Sequence, residues 1–158
     1  VRIAKLSDST LTSAKVGTVR RVTCASPSYL KKHGTPRTPR ELGEHRSFVF
    51  SAERSPPSWA FEHEGAALSF RPRATLLVNS SEVGIDAAVA GAGITRALSY
   101  MVAGHVRAGR LRVILEDYEA EPIPIHVLYR EGRRAPARGR AFVDFAVAKL
   151  RADAALAF

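Results

Sequence analysis

Cysteine, tryptophan and methionine occur once each in the 158 residues, as Cys24, Trp59 and Met101. A single cysteine excludes an internal disulfide, so packing alone must hold the fold, and a chain built this way suits the reducing cytoplasm. Cys24 lies in an apolar run and reads as a small buried hydrophobe. A redox role would require a lowered thiol pKa and an accessible position. No apolar run approaches the ~20 residues that a transmembrane helix needs, and no signal peptide opens the sequence, so no membrane partner is expected. Internal repeats and low-complexity tracts are also missing. Catalytic patterns are equally scarce. None of the five histidines, His33, His45, His63, His105 and His126, stands in a His-x-x-x-His or Glu-x-x-His spacing. Ser26 lacks the Gly-x-Ser-x-Gly setting of a nucleophile elbow. No enzyme, metal site or cofactor is therefore expected.

What the chain does have is positive charge. Lysine and arginine number 24 against 15 acids, a formal charge of +9. A basic face attracts phosphate at long range. The arginines are scattered, however, and the densest run, Arg130 to Arg140, lies among Gly, Pro and Ala and reads as an exposed loop. It has none of the aromatic interleaving that stacks bases. A basic α/β nucleic-acid-binding module without a small-molecule effector is the alternative function. It would show a DNA affinity falling with salt at roughly −0.9 per phosphate contact on a log–log plot.

The patterning is that of an α/β chain. Val1 to Ala4 reads as strand, which suggests that the sequence begins inside a fold, and Lys5 to Ala14 reads as a polar loop. Val16 to Cys24 reads as one long strand, stopped at Ser26-Pro27 because proline cannot donate to a ladder. Ser26 is placed to cap a helix over Pro27–His33, ended by Gly34. Thr38-Pro39-Arg40-Glu41 is spaced as a capping box. Phe48 to Phe50 reads as strand, and Arg54 to Ser58 as loop. Trp59 and Phe61 alternate with polar neighbours before Glu64-Gly65, and Leu68 and Phe70 do so after it, which is a hairpin. Ala74 to Val78 continues as strand, and Asn79 is placed to cap the helix that follows. Ile94–Leu98 reads as strand, Ser99 as the cap of a helix over Tyr100–Ala108, and Leu111–Leu115 and Ile123–Val127 as strands. The last apolar residues fall at helical spacing.

One stretch reads as a ligand site from the residues alone. Asn79, Ser80 and Ser81 are small and polar, and they stand where a strand feeds a helix. Free N–H groups and the helix dipole favour an anion there. Gly91-Ala92-Gly93 looks like part of a phosphate loop but follows a helix and precedes a strand, the reverse of the required order. It reads as a helix end with tight packing.

Taken in order, the segments resemble a family. Val16-Gly17-Thr18-Val19-Arg20-Arg21-Val22-Thr23-Cys24-Ala25-Ser26-Pro27-Ser28-Tyr29-Leu30 carries most of the likeness. Thr38-Pro39-Arg40-Glu41-Leu42, Ala87-Ala88-Val89-Ala90-Gly91-Ala92-Gly93-Ile94 and Arg140-Ala141-Phe142-Val143-Asp144-Phe145 support it. Over essentially all its length the chain resembles the C-terminal effector-binding region of a LysR-type transcriptional regulator. The resemblance implies an α/β fold like type 2 periplasmic binding proteins, with two lobes joined by two crossover strands and the first lobe incomplete. It implies a partial first lobe at 1–25 and 122–158 and a second lobe at 26–121. It also implies a small-molecule effector, here a small organic acid, bound between lobes. By the same likeness Arg2 and Ala4 of the first lobe would face the ligand, with Ser26 and Pro27 at the crossover and Asn79, Ser80, Ser81, Gly93 and Thr95 of the second lobe. DNA would be bound through an N-terminal winged helix-turn-helix that lies outside these 158 residues, and the regulator would be a homodimer or homotetramer.

Overall fold

The expected Val16–Cys24 strand divides at Arg20. The computed structural model describes residues 1–6, 11–51, 57–129 and 137–156. In chain order its strands are β1 (Arg2–Ile3), β2 (Thr12–Val19), β3 (Arg21–Ala25), β4 (Ser47–Phe50), β5 (Trp59–His63), β6 (Ala66–Phe70), β7 (Ala74–Val78), β8 (Ile94–Leu98), β9 (Arg112–Ile114) and β10 (Ile123–Tyr129). Its helices are α1 (Pro27–His33), α2 (Ser81–Val89), α3 (Ser99–Arg107) and α4 (Ala137–Arg151). The single strand becomes two because β2 pairs with β10 in one sheet while β3 lies between β8 and β9 in another. Two compact units result, Val1–Val19 with Pro122–Phe158, and Arg20–Glu121.

The first unit is an antiparallel sheet in the order β1-β10-β2. The alternation seen in Ile123, Ile125 and Val127 places Ile125 and Val127 inside. Strand β2 begins at Thr12, so the expected loop over Lys5–Ala14 is shorter than its composition suggested. Ser7 to Thr10 of that loop lie outside the described residues. Helix α4 exposes Phe142 and Phe145, and Arg138 and Arg140 of the expected basic loop are helical instead. The rest of that loop, 130–136, lies outside the described residues, as does most of the expected loop over Arg54–Ser58.

The second unit holds a five-stranded sheet in the order β7-β4-β8-β3-β9. Strands β4, β7 and β8 run parallel, and β3 runs against β8 with Arg21 opposite Leu98 and Ala25 opposite Ile94. The hairpin expected at Glu64-Gly65 forms, and both residues take positive φ (50° and 78°), the geometry of a tight two-residue turn. Its Trp59 and Phe61 are buried in a cluster with Tyr29, Leu30, Leu42, Val49 and Ile94. Each such aromatic stabilises the unit by roughly 1.5–3 kcal/mol through burial. Helix α2 lies over the sheet through Gly84, where an added Cβ would stand 2.9 Å from Thr95 Oγ1.

Three caps differ from expectation. Thr38 is the N-cap residue of a 3₁₀ segment rather than of an α-helix, and its side chain makes no capping hydrogen bond. Its hydroxyl donates to Glu41 (3.0 Å), the Glu41 carboxylate also accepts from Arg37 N–H (2.9 Å), and Pro39–Glu44 coils as a tight 3₁₀ segment. The backbone N–H of Arg37, then the Thr38 hydroxyl, hold the Glu41 carboxyl below the usual range. The N-cap of α2 is Ser80 rather than Asn79, and that of α3 is Leu98 rather than Ser99. Ser99 turns inward, and its Oγ accepts from Arg20 N–H at 3.2 Å.

Candidate functional site

Direction in the sheet sorts the candidate residues. Because β4, β7 and β8 run parallel, Phe50, Val78 and Leu98 end together at one edge. Asn79, Ser80 and Ser81 follow Val78 at that edge, and Ser51 joins them by donating its N–H to Val78 O at 2.9 Å. Asn79 is exposed, and Ser80 and Ser81 are half-buried. The Ser80 side chain makes no capping hydrogen bond to α2, so the first N–H groups of this nine-residue helix keep their donors for solvent or a bound group.

The chain enters and leaves the second unit at the same edge. Arg20 is its first residue, and the Arg20 guanidinium meets Glu119 at 2.8 Å, two residues before the unit ends. Burial raises the Glu119 carboxyl above the usual range despite that partner. Arg96, on β8, lies 4.3 Å from the Phe61 ring centre and donates to Ala60 O, and burial lowers it to about 10. Sequence reasoning passed over Arg20, Ser51 and Glu119, and read Ser99 only as a helix cap. The tertiary fold alone pairs Arg20 with Ser99 and Glu119 and seats Ser51 on Val78 O.

Ser26, Pro27 and Gly93 lie at the opposite end of the sheet from Asn79–Ser81, since β3 is antiparallel to β8 and Gly93 precedes β8. Ser26 is buried, caps α1 by accepting from Tyr29 N–H (3.2 Å), and stands 3.0 Å from Ser28 Oγ. Pro27 occupies the first turn of α1. Gly93 is a close approach, where an added Cβ would stand 2.5 Å from Arg46 O. Thr95 faces the interior and donates to Phe48 O at 3.2 Å. In the first unit, Arg2 is exposed opposite His126 on β10, and Ala4 donates its N–H to Pro124 O at 3.2 Å.

Cys24 is fully buried and its thiol is pushed up to about 12 by burial, which leaves no thiolate near neutrality. Among the described residues no group of three His, Cys, Asp or Glu side chains could hold a metal ion. Among them, too, no helix is long and apolar enough to cross a membrane.

The second unit lies between the two segments of the first along the chain, and it carries a mixed sheet with an open helix N-terminus at its parallel-strand ends. Those features describe a type 2 periplasmic-binding-protein-like regulatory domain, and the chain belongs to the LysR substrate binding domain family, whose model matches residues 1–151. Among its relatives is the HTH-type transcriptional activator AaeR of Escherichia coli, 27% identical over 144 residues that make up 91% of this chain and 47% of AaeR. The regulatory domain of AphB from Vibrio vulnificus superposes with a TM-score of 0.81 at 27% identity, over 94% of this chain and 72% of that one. The regulatory domain of CrgA from Neisseria meningitidis does so with a TM-score of 0.78 at 28% identity, over 94% and 73%. The chain spans about half the length of the curated relatives it matches.

Proposed function

We propose that the chain is the effector-sensing part of a cytoplasmic LysR-type transcription regulator. It takes a small organic acid and passes the signal to an N-terminal winged helix-turn-helix that binds DNA, within a homodimer or homotetramer. The two units are then a partial first lobe and a second lobe. The observation that carries the reading is the α2 N-terminus at the parallel-strand ends, with no capping hydrogen bond from the Ser80 side chain and with Asn79, Ser80 and Ser81 around it. In open α/β sheets that is where ligands sit, and a helix N-terminus favours an anion. Asn79, Ser80 and Ser81 are the second unit's proposed contacts, with Arg2 and Ala4 as those of the first. Ser26, Pro27, Gly93 and Thr95 act through the frame that holds the sheet and helices.

A ligand shifts such a regulator only by its differential affinity for two conformations. The test is calorimetric titration of the full-length regulator with a panel of small carboxylic acids and their neutral amides. Acids are expected to bind, and Asn79→Ala with Ser81→Ala to weaken them about tenfold, a loss of ~1.4 kcal/mol. Heat from neutral compounds with none from any acid refutes the anionic reading.

A further inference from the structure

We propose that the second unit carries another binding site, for a small anion that also bears a hydrogen-bond donor, in a cleft where β4 and β7 begin. This site is separate from the effector reading and does not rest on it. Strands β4 and β7 are parallel and start together, so the cleft lies at the far end of the sheet from Asn79–Ser81. Four to five residues of strand place the two ends about 13–17 Å apart.

The cleft encloses about 370 Å³. Glu44, His45 and Arg46 line one side, and Arg73 and Thr75 line the other. The backbone that carries the two arginines is held in place. Arg46 N–H donates to the Tyr29 hydroxyl at 3.1 Å, and Arg46 O accepts from Ile94 N–H at 2.8 Å. Arg73 follows Pro72, which is fully buried. Two guanidinium groups on fixed backbone suit a carboxylate or phosphate, because their forked N–H donors match its oxygens.

His45 adds a third donor. Its Nδ1 stands 3.3 Å from the Tyr29 hydroxyl. That hydroxyl already accepts from Arg46, so its own proton can go to Nδ1, and the neutral ring then carries its proton on Nε2. Burial, then repulsion from His33, holds His45 below the usual histidine range and favours this neutral form. Glu44 sets the selectivity. A carboxylate in the wall opposes a bare anion and accepts from a hydroxyl or amino group on the ligand. The chemical class is therefore the hydroxy acids and amino acids, not simple alkyl carboxylates.

Amide NMR of the isotope-labelled chain, titrated with lactate and in parallel with propionate, tests this, since the two differ by one hydroxyl. Lactate is expected to shift the amides of Gly43–Arg46 and Arg73–Thr75 saturably, and more tightly than propionate. Arg46→Gln with Arg73→Gln should weaken lactate at least tenfold, Glu44→Gln should abolish the preference over propionate, and Arg107→Gln, at an exposed arginine of α3 outside the cleft, should leave lactate binding unchanged. The three exposed positions allow thermal melts to verify folding of each variant. Non-saturable shifts spread over exposed arginines, shifts confined to Asn79–Ser81, or unchanged affinity in the double arginine variant would overturn the site. Equal binding of the two acids would overturn the donor requirement.

Discussion

Replacing Gly93 with alanine separates packing from ligand contact at a position that sequence resemblance assigned to the ligand. A Cβ there would lie 2.5 Å from Arg46 O and 2.9 Å from Phe48 Cε2. The first distance is 0.9 Å short of the 3.4 Å at which ordinary contact begins. The carbonyl cannot withdraw freely, because it accepts from Ile94 N–H at 2.8 Å while Arg46 N–H is tied to Tyr29. Overpacking costs ~1–3 kcal/mol, and a backbone obstacle belongs at the upper end of that range. Alanine returns about 0.4–1 kcal/mol by stiffening the unfolded chain. The net loss is then about 2 kcal/mol, which lowers Tm by roughly 4–8 °C in a domain of this size. Trp59 is the lone tryptophan and is buried in the same unit, so its fluorescence during urea unfolding reports the change directly. Gly104→Ala is the control, since nothing stands within 4 Å of a Cβ there and helix α3 should gain about 0.5–1 kcal/mol. An unchanged urea midpoint for Gly93→Ala would refute the reasoning, and effector binding lost at that unchanged midpoint would restore Gly93 to the ligand.

Three further outcomes follow from the same structure. Ser26→Ala removes the cap that Tyr29 N–H donates to and should cost about 1 kcal/mol of stability in urea, whereas Asn79→Ala should cost under about 0.5 kcal/mol. Cys24 should resist a thiol reagent such as DTNB in the folded chain and react at once in denaturant, and fast labelling without denaturant would show that the buried thiol near 12 is wrongly described. His45 is held below the ordinary histidine value, so the unfolded chain binds its proton more readily. Stability should therefore fall as pH drops from the ordinary histidine value through the lowered one, and His45→Gln should flatten that part of a plot of urea midpoint against pH. Parallel profiles for the two proteins would contradict it.

The local chemistry of the chain was legible from residue order. Proline after Ser26, with serine's oxygen free to accept, dictates where α1 starts, and it does start there. Glu64-Gly65 between two alternating runs dictates a hairpin, because few residue pairs tolerate two positive φ values. The family could be recognised for the same reason, since it is carried by such contiguous segments. Partner choice was not legible. Val16 to Cys24 is uniformly strand-forming, yet its two halves join different sheets, and nothing in nine consecutive residues encodes which strand a ladder will meet. The direction of β3 against β8 is likewise a tertiary fact. It sends Ser26, Pro27 and Gly93 to one end of the sheet and Asn79, Ser80 and Ser81 to the other, although all six sit at strand ends in the sequence. Residue order thus determined which segments are helix, strand and turn through backbone sterics and capping, and strand pairing alone decided which side chains share an edge, because hydrogen-bonded ladders are formed between segments far apart in the chain.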